Sequence, residues 1–381
     1  MKVLSEACPS AHKRSEEMAT AKMTRRERLR RCYFHEQLDR PGVYCRTGFP
    51  ENDPTYDTLK ACLSAHTELK GHWSSQSVES ATPTELLKEP YSEDFERHIF
   101  IIHTPAGDLR ASWLVSLRGQ PGLQNSYFLK TAEDARKYLS LPMPELSGDV
   151  SAFFKADQEM GDCGIVEVHI GFNPAGMVAE LFGSEGFAAM SVTDREALHQ
   201  LCERQMNMTL RRLNHVLSRG AGPYFTMAGE EYLVPPLHGP RDFYDFNVRY
   251  DKPIIDLIHD AGGRVHIHCH GSIKKVIQGF VDMGTDVLHP FEPPPLGDIT
   301  PAEAKAVARG KICLEGNIQI ADMYERTPEQ MREQTVELIE ATFDDSSGLI
   351  VCPSASPYIR GWGERCFPQF KAMIDTVLQW R

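Results

Sequence analysis

The sequence predicts an α/β protein folded as a single (β/α)₈ TIM barrel, and three observations carry that prediction. From about residue 147 onward, short apolar runs at 164–169, 224–227, 264–268, 286–289, 311–316 and 349–352 read as strands. Longer amphipathic stretches at 194–218, 240–260, 272–283, 301–308, 328–342 and 367–380 separate or follow them and read as helices. Strands that alternate with helices argue for a parallel sheet, and so many units in 381 residues suit a closed barrel better than an open one. No G-x-G-x-x-G opens a helix, which counts against a dinucleotide-binding sheet.

The remaining elements follow in chain order. Residues 1–22 carry charge but no apolar signal core, and read as a flexible N-terminal extension in which Met18 or Met23 is an alternative start; residues 23–381 read as the barrel domain. Thr24-Arg25-Arg26-Glu27 has the S/T-x-x-E form of a capping box, predicting a helix to about residue 36 that Asp39-Arg40-Pro41 ends. A short strand is expected at 42–46. Residues 47–90, rich in Pro, Gly, Ser and Thr, read as a long irregular loop with one helical stretch at 56–65. Apolar runs at 98–103 and 108–115 flank the turn Thr104-Pro105-Ala106-Gly107 and predict a hairpin, followed by a helix at 132–139.

Composition narrows the partners. A net charge of -12 repels phosphate backbones and anionic membranes, so nucleic acid and membrane are not expected. No apolar stretch approaches the roughly 20 residues that span a bilayer. The ten cysteines include no C-x-x-C pair and show no small-domain disulfide framework, so reduced thiols in a cytoplasmic protein are the simplest reading. A small-molecule substrate and assembly as a homodimer are the expectations that remain.

The densest chemistry lies in Arg264-Val265-His266-Ile267-His268-Cys269-His270-Gly271. Side chains alternate faces along a strand, so Val265, Ile267 and Cys269 share the face that packs under helices. His266, His268 and His270 share the other face, which in a barrel is the lumen. Gly271 releases the chain, leaving His268 and His270 at the C-terminal rim, where barrel enzymes place their chemistry. Two imidazoles two residues apart suit metal binding, anion binding or proton transfer. Neutral core histidines are the plain alternative.

Other strand ends supply further candidates. Glu315 and Asn317 follow one apolar run; Glu230 follows another, as a candidate general acid or base beside Glu231. His289 and Glu292 flank a proline-stiffened loop, and Ser354, in Cys352-Pro353-Ser354-Ala355-Ser356, leaves room for a ligand. Arg46, after the first strand, suits a substrate carboxylate.

Several motifs together resemble the uroporphyrinogen decarboxylase superfamily over roughly residues 23–381. Thr24–Arg28 through Asp39-Arg40-Pro41 is similar to its opening helix and "DR-P" turn. His268-Cys269-His270-Gly271 is similar to its H-x-C-G strand end, Glu315-Gly316-Asn317-Ile318 to its "GN" segment, Thr327-Pro328-Glu329-Gln330 to its "TPEE" helix start, and 349–354 to its last strand. The resemblance implies one of two activities. The methyltransferases of the group pass a methyl group between a corrinoid and a thiol, with zinc held by H-x-C and a later Cys. Here that pattern gives His268 and His270 as metal ligands, with Ala355 at the later Cys position and Glu315, Cys352 or Glu230 as third ligand. A corrinoid protein is then an expected partner. The decarboxylase branch implies metal-free loss of carboxylate from uroporphyrinogen or another acid. Its R-Q-A-G-R-Y loop finds only Arg46-Thr47-Gly48, and its G-H-G finds Ser354-Ala355-Ser356. A barrel that binds a corrinoid or tetrapyrrole without turnover is the third alternative.

Overall fold

In the computed structural model, which describes residues 23–380, eight parallel strands form a curled sheet. They are β1 (Gly42–Val43), β2 (Leu69–Ser74), β7 (Gly164–Phe172), β8 (Tyr224–Ala228), β9 (Arg264–His268), β10 (Val287–His289), β11 (Cys313–Ile318) and β12 (Leu349–Pro353). Each strand from β7 to β12 pairs with the next, β2 pairs with β7, and β1 pairs with β12. This is the strand order of a (β/α)₈ barrel, as the alternation of strand and helix predicts.

The two ends of the sheet, β1 and β2, meet at a polar seam. Glu68 N–H donates to the Val43 carbonyl at 3.0 Å, and the Glu68 carboxylate accepts from Val43 N–H at 2.6 Å. The other carboxylate oxygen takes Arg28 at 2.6 Å and Arg40 at 2.8 Å. Asp39 in turn grips Arg28 through two bonds of 2.8 Å. The Asp39-Arg40-Pro41 turn therefore holds the barrel closed as well as ending a helix. Thr24 caps that helix, Arg25–Tyr33, by accepting from Glu27 N–H, but Glu27 itself pairs with Arg30 and Arg31 instead of completing the box.

Strand β2 lies inside 47–90, which the sequence reading treats as irregular. Its residues, Leu-Lys-Gly-His-Trp-Ser, form no apolar run because Lys70 and His72 face the lumen. The outer faces behave as expected: Val265, Ile267 and Cys269 are all buried in the main core. Helices Ala132–Leu139, Pro301–Ala308 and Pro328–Thr342 fall on their predicted bounds, whereas Ser151–Met160, Pro174–Phe182 and Ser184–Thr193 were not anticipated. The stretch at 240–260 is helical throughout, with a π-helical turn at Phe243–Val248.

The predicted hairpin is present as β4 (Phe95–Thr104) and β5 (Gly107–Ser116), with Thr104 opposite Gly107. It belongs to a separate antiparallel sheet completed by β3 (Glu85–Pro90) and β6 (Leu123–Ser126). Ile102 and Leu109 seat this sheet on a second apolar cluster with Ala135, Val178, Phe182 and Leu198. The predicted extension at 1–22 lies outside the described residues. Eight cysteines among the described residues are free thiols. Among the described residues no helix is long and apolar enough to cross a membrane.

Candidate active site

Lumenal side chains form three tiers between the barrel floor and its C-terminal rim. The floor is charged and, apart from the exposed His72, buried. Lys70 from β2 reaches across the lumen to donate to Glu315 on β11, and donates to Tyr33 Oη at 3.0 Å. Tyr33 donates to Glu167 on β7. His266 Nδ1 lies 3.2 Å from Glu167 Oε1, and His72 Nδ1 lies 3.4 Å from Glu167 Oε2. Contacts between strands that are not neighbours in the sheet confirm that it curls around a lumen. Burial raises the Glu167 carboxyl, but Lys70 and His266 outweigh burial and hold it well below the usual carboxylate range. Burial disfavours the Lys70 ammonium too, and the Glu315 and Glu167 carboxylates outweigh it, so Lys70 stays charged.

The middle tier holds neutral imidazoles. His268 Nδ1 and His289 Nδ1 are 2.8 Å apart, and Arg46 donates to His268 Nδ1 at 3.1 Å. Adjacent strands place the two rings side by side, since His289 on β10 is in register with His268 on β9. Burial, then the Arg46 guanidinium, pushes His268 down to about 2, and burial with His268 and Arg46 pushes His289 well below the usual range. Both rings therefore present lone pairs instead of charge at neutral pH. His289 Nε2 lies 3.3 Å from the Pro353 carbonyl and 3.7 Å from Cys352 Sγ. Burial, then Glu315, raises the Cys352 thiol well above its ordinary range.

At the rim is a cavity of about 450 Å³ lined by His270, Glu231, Glu292, Ser354 and Ala355, with an apolar wall of Val234, Leu237, Leu296 and Ile320. No Lys or Arg lines it. Glu292 Oε2 holds His270 Nδ1 at 3.0 Å, while its buried Oε1 has no partner. Burial raises the Glu231 carboxyl above its ordinary range even though Gly229 N–H donates to it at 3.0 Å.

The predicted candidates thus separate. His270, Glu292 and Ser354 line the cavity; His268, His289 and Arg46 lie beneath it; Glu315 belongs to the floor. Asn317 is buried and donates to the Phe291 carbonyl at 3.3 Å, pinning the loop that carries Glu292. The Glu230 reading is corrected: Glu230 is fully buried away from the cavity, and its neighbour Glu231 takes the cavity position. Successive residues of one turn cannot both face the pocket, and the 3₁₀ turn Glu230–Leu233 turns Glu231 inward. The expected metal grouping also shifts. Among the described residues the one His/Cys/carboxylate trio with ligand atoms within 4.8 Å of one another is His289, Glu315 and Cys352; it contains neither His268 nor His270.

Lys70, His72, Glu167 and Tyr33 escaped the sequence reading. Glu167-Val168-His169 carries the same polar alternation as His266-Ile267-His268, so β7 held a readable signal. Tyr33 and Lys70 held none, because one sits on a helix and the other on an unrecognised strand.

With this geometry in hand, comparison with known proteins is informative. The sequence model of the family described as uroporphyrinogen decarboxylase (URO-D) matches residues 172–357, the span from the end of β7 past β12. Residues 172–357 are thus similar to the uroporphyrinogen decarboxylase family. Among solved structures it resembles a methyltransferase from Methanosarcina mazei, with 14% identity and a TM-score of 0.58 over 93% of this chain and 99% of that one. That likeness shows a shared fold. It also bears a slighter likeness to a B12-independent methionine synthase from Shewanella sp. W3-18-1, with 11% identity and a TM-score of 0.42 over 73% and 74% of the two chains, too little to bear on function. No curated protein matches the sequence.

Proposed function

We propose that this protein transfers a methyl group, in the rim cavity, between a small methylated compound or a methylated corrinoid and a thiol. The observation that carries the reading is the lining of the cavity: two carboxylates, one imidazole, an apolar wall and no fixed cation. A four-carboxylate porphyrinogen needs cationic groups to bind it. Arg46, the cation nearest the middle tier, is already engaged with His268. A neutral or cationic methylated substrate meets no such conflict.

The residues support a simple displacement. Glu231, with its carboxyl raised by burial, accepts the proton of a bound thiol. The thiolate sulfur attacks the methyl carbon; the S–C bond forms as the bond from methyl to its carrier breaks, and the electron pair leaves with the carrier. Glu292 fixes the His270 ring beside this path. Val234, Leu237, Leu296 and Ile320 give the methyl carrier an apolar surface to lie against. A corrinoid-carrying protein would present its group at this mouth.

Zinc at His268 and His270, implied by the H-x-C resemblance, is a poor fit to the residues present. Arg46 and His289 crowd His268 Nδ1, and the cavity lining holds Ala355 and no cysteine, so the sulfur donor is missing; Glu292 on His270 Nδ1 leaves only that ring's Nε2 free. Incubation of the purified protein with methylcobalamin and a small thiol tests the proposal: methylated thiol should form, and Glu231→Gln should lower kcat by about 100-fold with KM little changed. Carboxylate loss from uroporphyrinogen with no thiol methylation would overturn it.

A further inference from the structure

Directly beneath the rim cavity, three adjacent strands each deliver one donor of a different kind. His289 ends β10, Glu315 lies within β11, and Cys352 lies within β12. Strand register sets their spacing, since Leu288 pairs with Leu314 and Asn317 with Cys352, and all three side chains are buried. One nitrogen, one oxygen and one sulfur, mutually within 4.8 Å, are the donor types that zinc-class ions take.

Hydrogen bonding at His289 supplies a second observation. Arg46 can only donate, so His268 Nδ1, 3.1 Å away, carries a lone pair. His289 Nδ1, 2.8 Å from that same atom, must then carry the hydrogen between the two rings. In a neutral ring this leaves a lone pair on Nε2, which has the Cys352 S–H as a donor 3.7 Å away and the Pro353 carbonyl at 3.3 Å. The opposite tautomer satisfies Pro353 but sets two Nδ1 lone pairs against each other. In the first arrangement the Nε2 lone pair faces the Cys352 sulfur, so a cation that replaces the thiol hydrogen is shared by both atoms.

The floor explains how the trio persists without such an ion. Lys70, itself buried, donates to Glu315 and lies 3.9 Å from Glu167 Oε1. It neutralises the carboxylate that the ion would otherwise take, and a second carboxylate stands ready to receive it.

We propose that His289, Glu315 and Cys352 form a binding site for a zinc-class divalent ion, between the middle tier and the floor and beneath His270, with Lys70 as the counter-ion that holds Glu315 until the ion displaces it. On binding, the Cys352 S–H proton leaves to solvent, the sulfur and a Glu315 oxygen bond the ion, and the ammonium turns toward Glu167. The site stands independently of the methyl-transfer reading, because its test involves no turnover.

Cobalt(II) titration of the metal-stripped full-length protein reads the site directly, since a thiolate ligand adds a charge-transfer absorption in the near ultraviolet. One cobalt per chain with that band is expected. Cys352→Ser should abolish the band, and Glu315→Gln should weaken cobalt binding by about 10–100-fold. Lys70→Met should tighten it by a similar factor, and cobalt should restore the thermal stability that this variant loses. His270→Ala should leave the band in place. Absence of the band in the wild-type protein, its survival in Cys352→Ser, or its loss in His270→Ala would overturn the site. Unchanged affinity in Lys70→Met, with the band intact, would overturn the counter-ion role alone.

Discussion

Glu230 and Glu231 are chemically identical neighbours with opposite environments. Glu231 opens onto the cavity, whereas both carboxylate oxygens of Glu230 are buried without a partner. Burial, then the nearby Asp251, raises the Glu230 carboxyl well above its ordinary range, and Asp251 is raised by its own burial. Asn173 donates to Asp251 at 2.9 Å and gives Glu230 nothing. The sign of the pH dependence follows. A carboxyl whose folded pKa is raised favours the protonated fold, so stability is fully present below the unfolded pKa near 4 and falls as pH rises toward the folded value. Glu230→Gln removes that loss. Denaturant melts should find the variant more stable than wild type at pH 7 and above, with the difference vanishing near pH 4. A constant difference across that range would contradict the burial of a titrating carboxyl there. Which glutamate faces the ligand was not legible in the sequence, because it depends on one 3₁₀ turn. That a carboxylate would follow β8 was legible.

Among the elements, the seam between β1 and β2 bears the most on the site, because β2 carries Lys70 and His72 into the lumen. Glu68 makes its main-chain bond to Val43 and also holds Arg28 and Arg40, which are themselves buried. Breaking such a group strands charge in the interior, which costs about 3–5 kcal/mol. Glu68→Ala should therefore lower the urea midpoint by a corresponding amount, whereas a shift below about 1 kcal/mol would show that the arginines find other partners. The seam also explains what the chain disclosed and what it concealed. Strands β7 to β12 have apolar outer faces regular enough to read. By contrast, β2 alternates lysine and histidine against a glycine, so its chemistry masked its structure. The antiparallel sheet was half-read for a related reason: the β4–β5 turn is explicit, while β3, Glu-Leu-Leu-Lys-Glu-Pro, is exposed along its whole length and shows no buried face.

For the whole molecule, the fold was legible because its motifs come in barrel order: the histidine strand, Glu315-Gly316-Asn317 and Thr327-Pro328 occur where the barrel needs them. Site chemistry was less legible. His266, His268 and His270 share one strand face as read, yet they belong to three tiers with different partners: Glu167 for the first, Arg46 and His289 for the second, and Glu292 for the third. A strand pattern gives the face of a side chain, while its partners come from strands distant in sequence. The absence of cations from the cavity is likewise a property of five converging loops, those after β8 to β12, and of no single motif. Isothermal titration calorimetry on that cavity tests the account most directly, comparing a small methylated ammonium or sulfonium compound with uroporphyrinogen. The methylated cation should bind, with affinity lost in a Glu231→Gln, Glu292→Gln double variant, and uroporphyrinogen should not. Saturable binding of uroporphyrinogen with no binding of the cation would contradict the account.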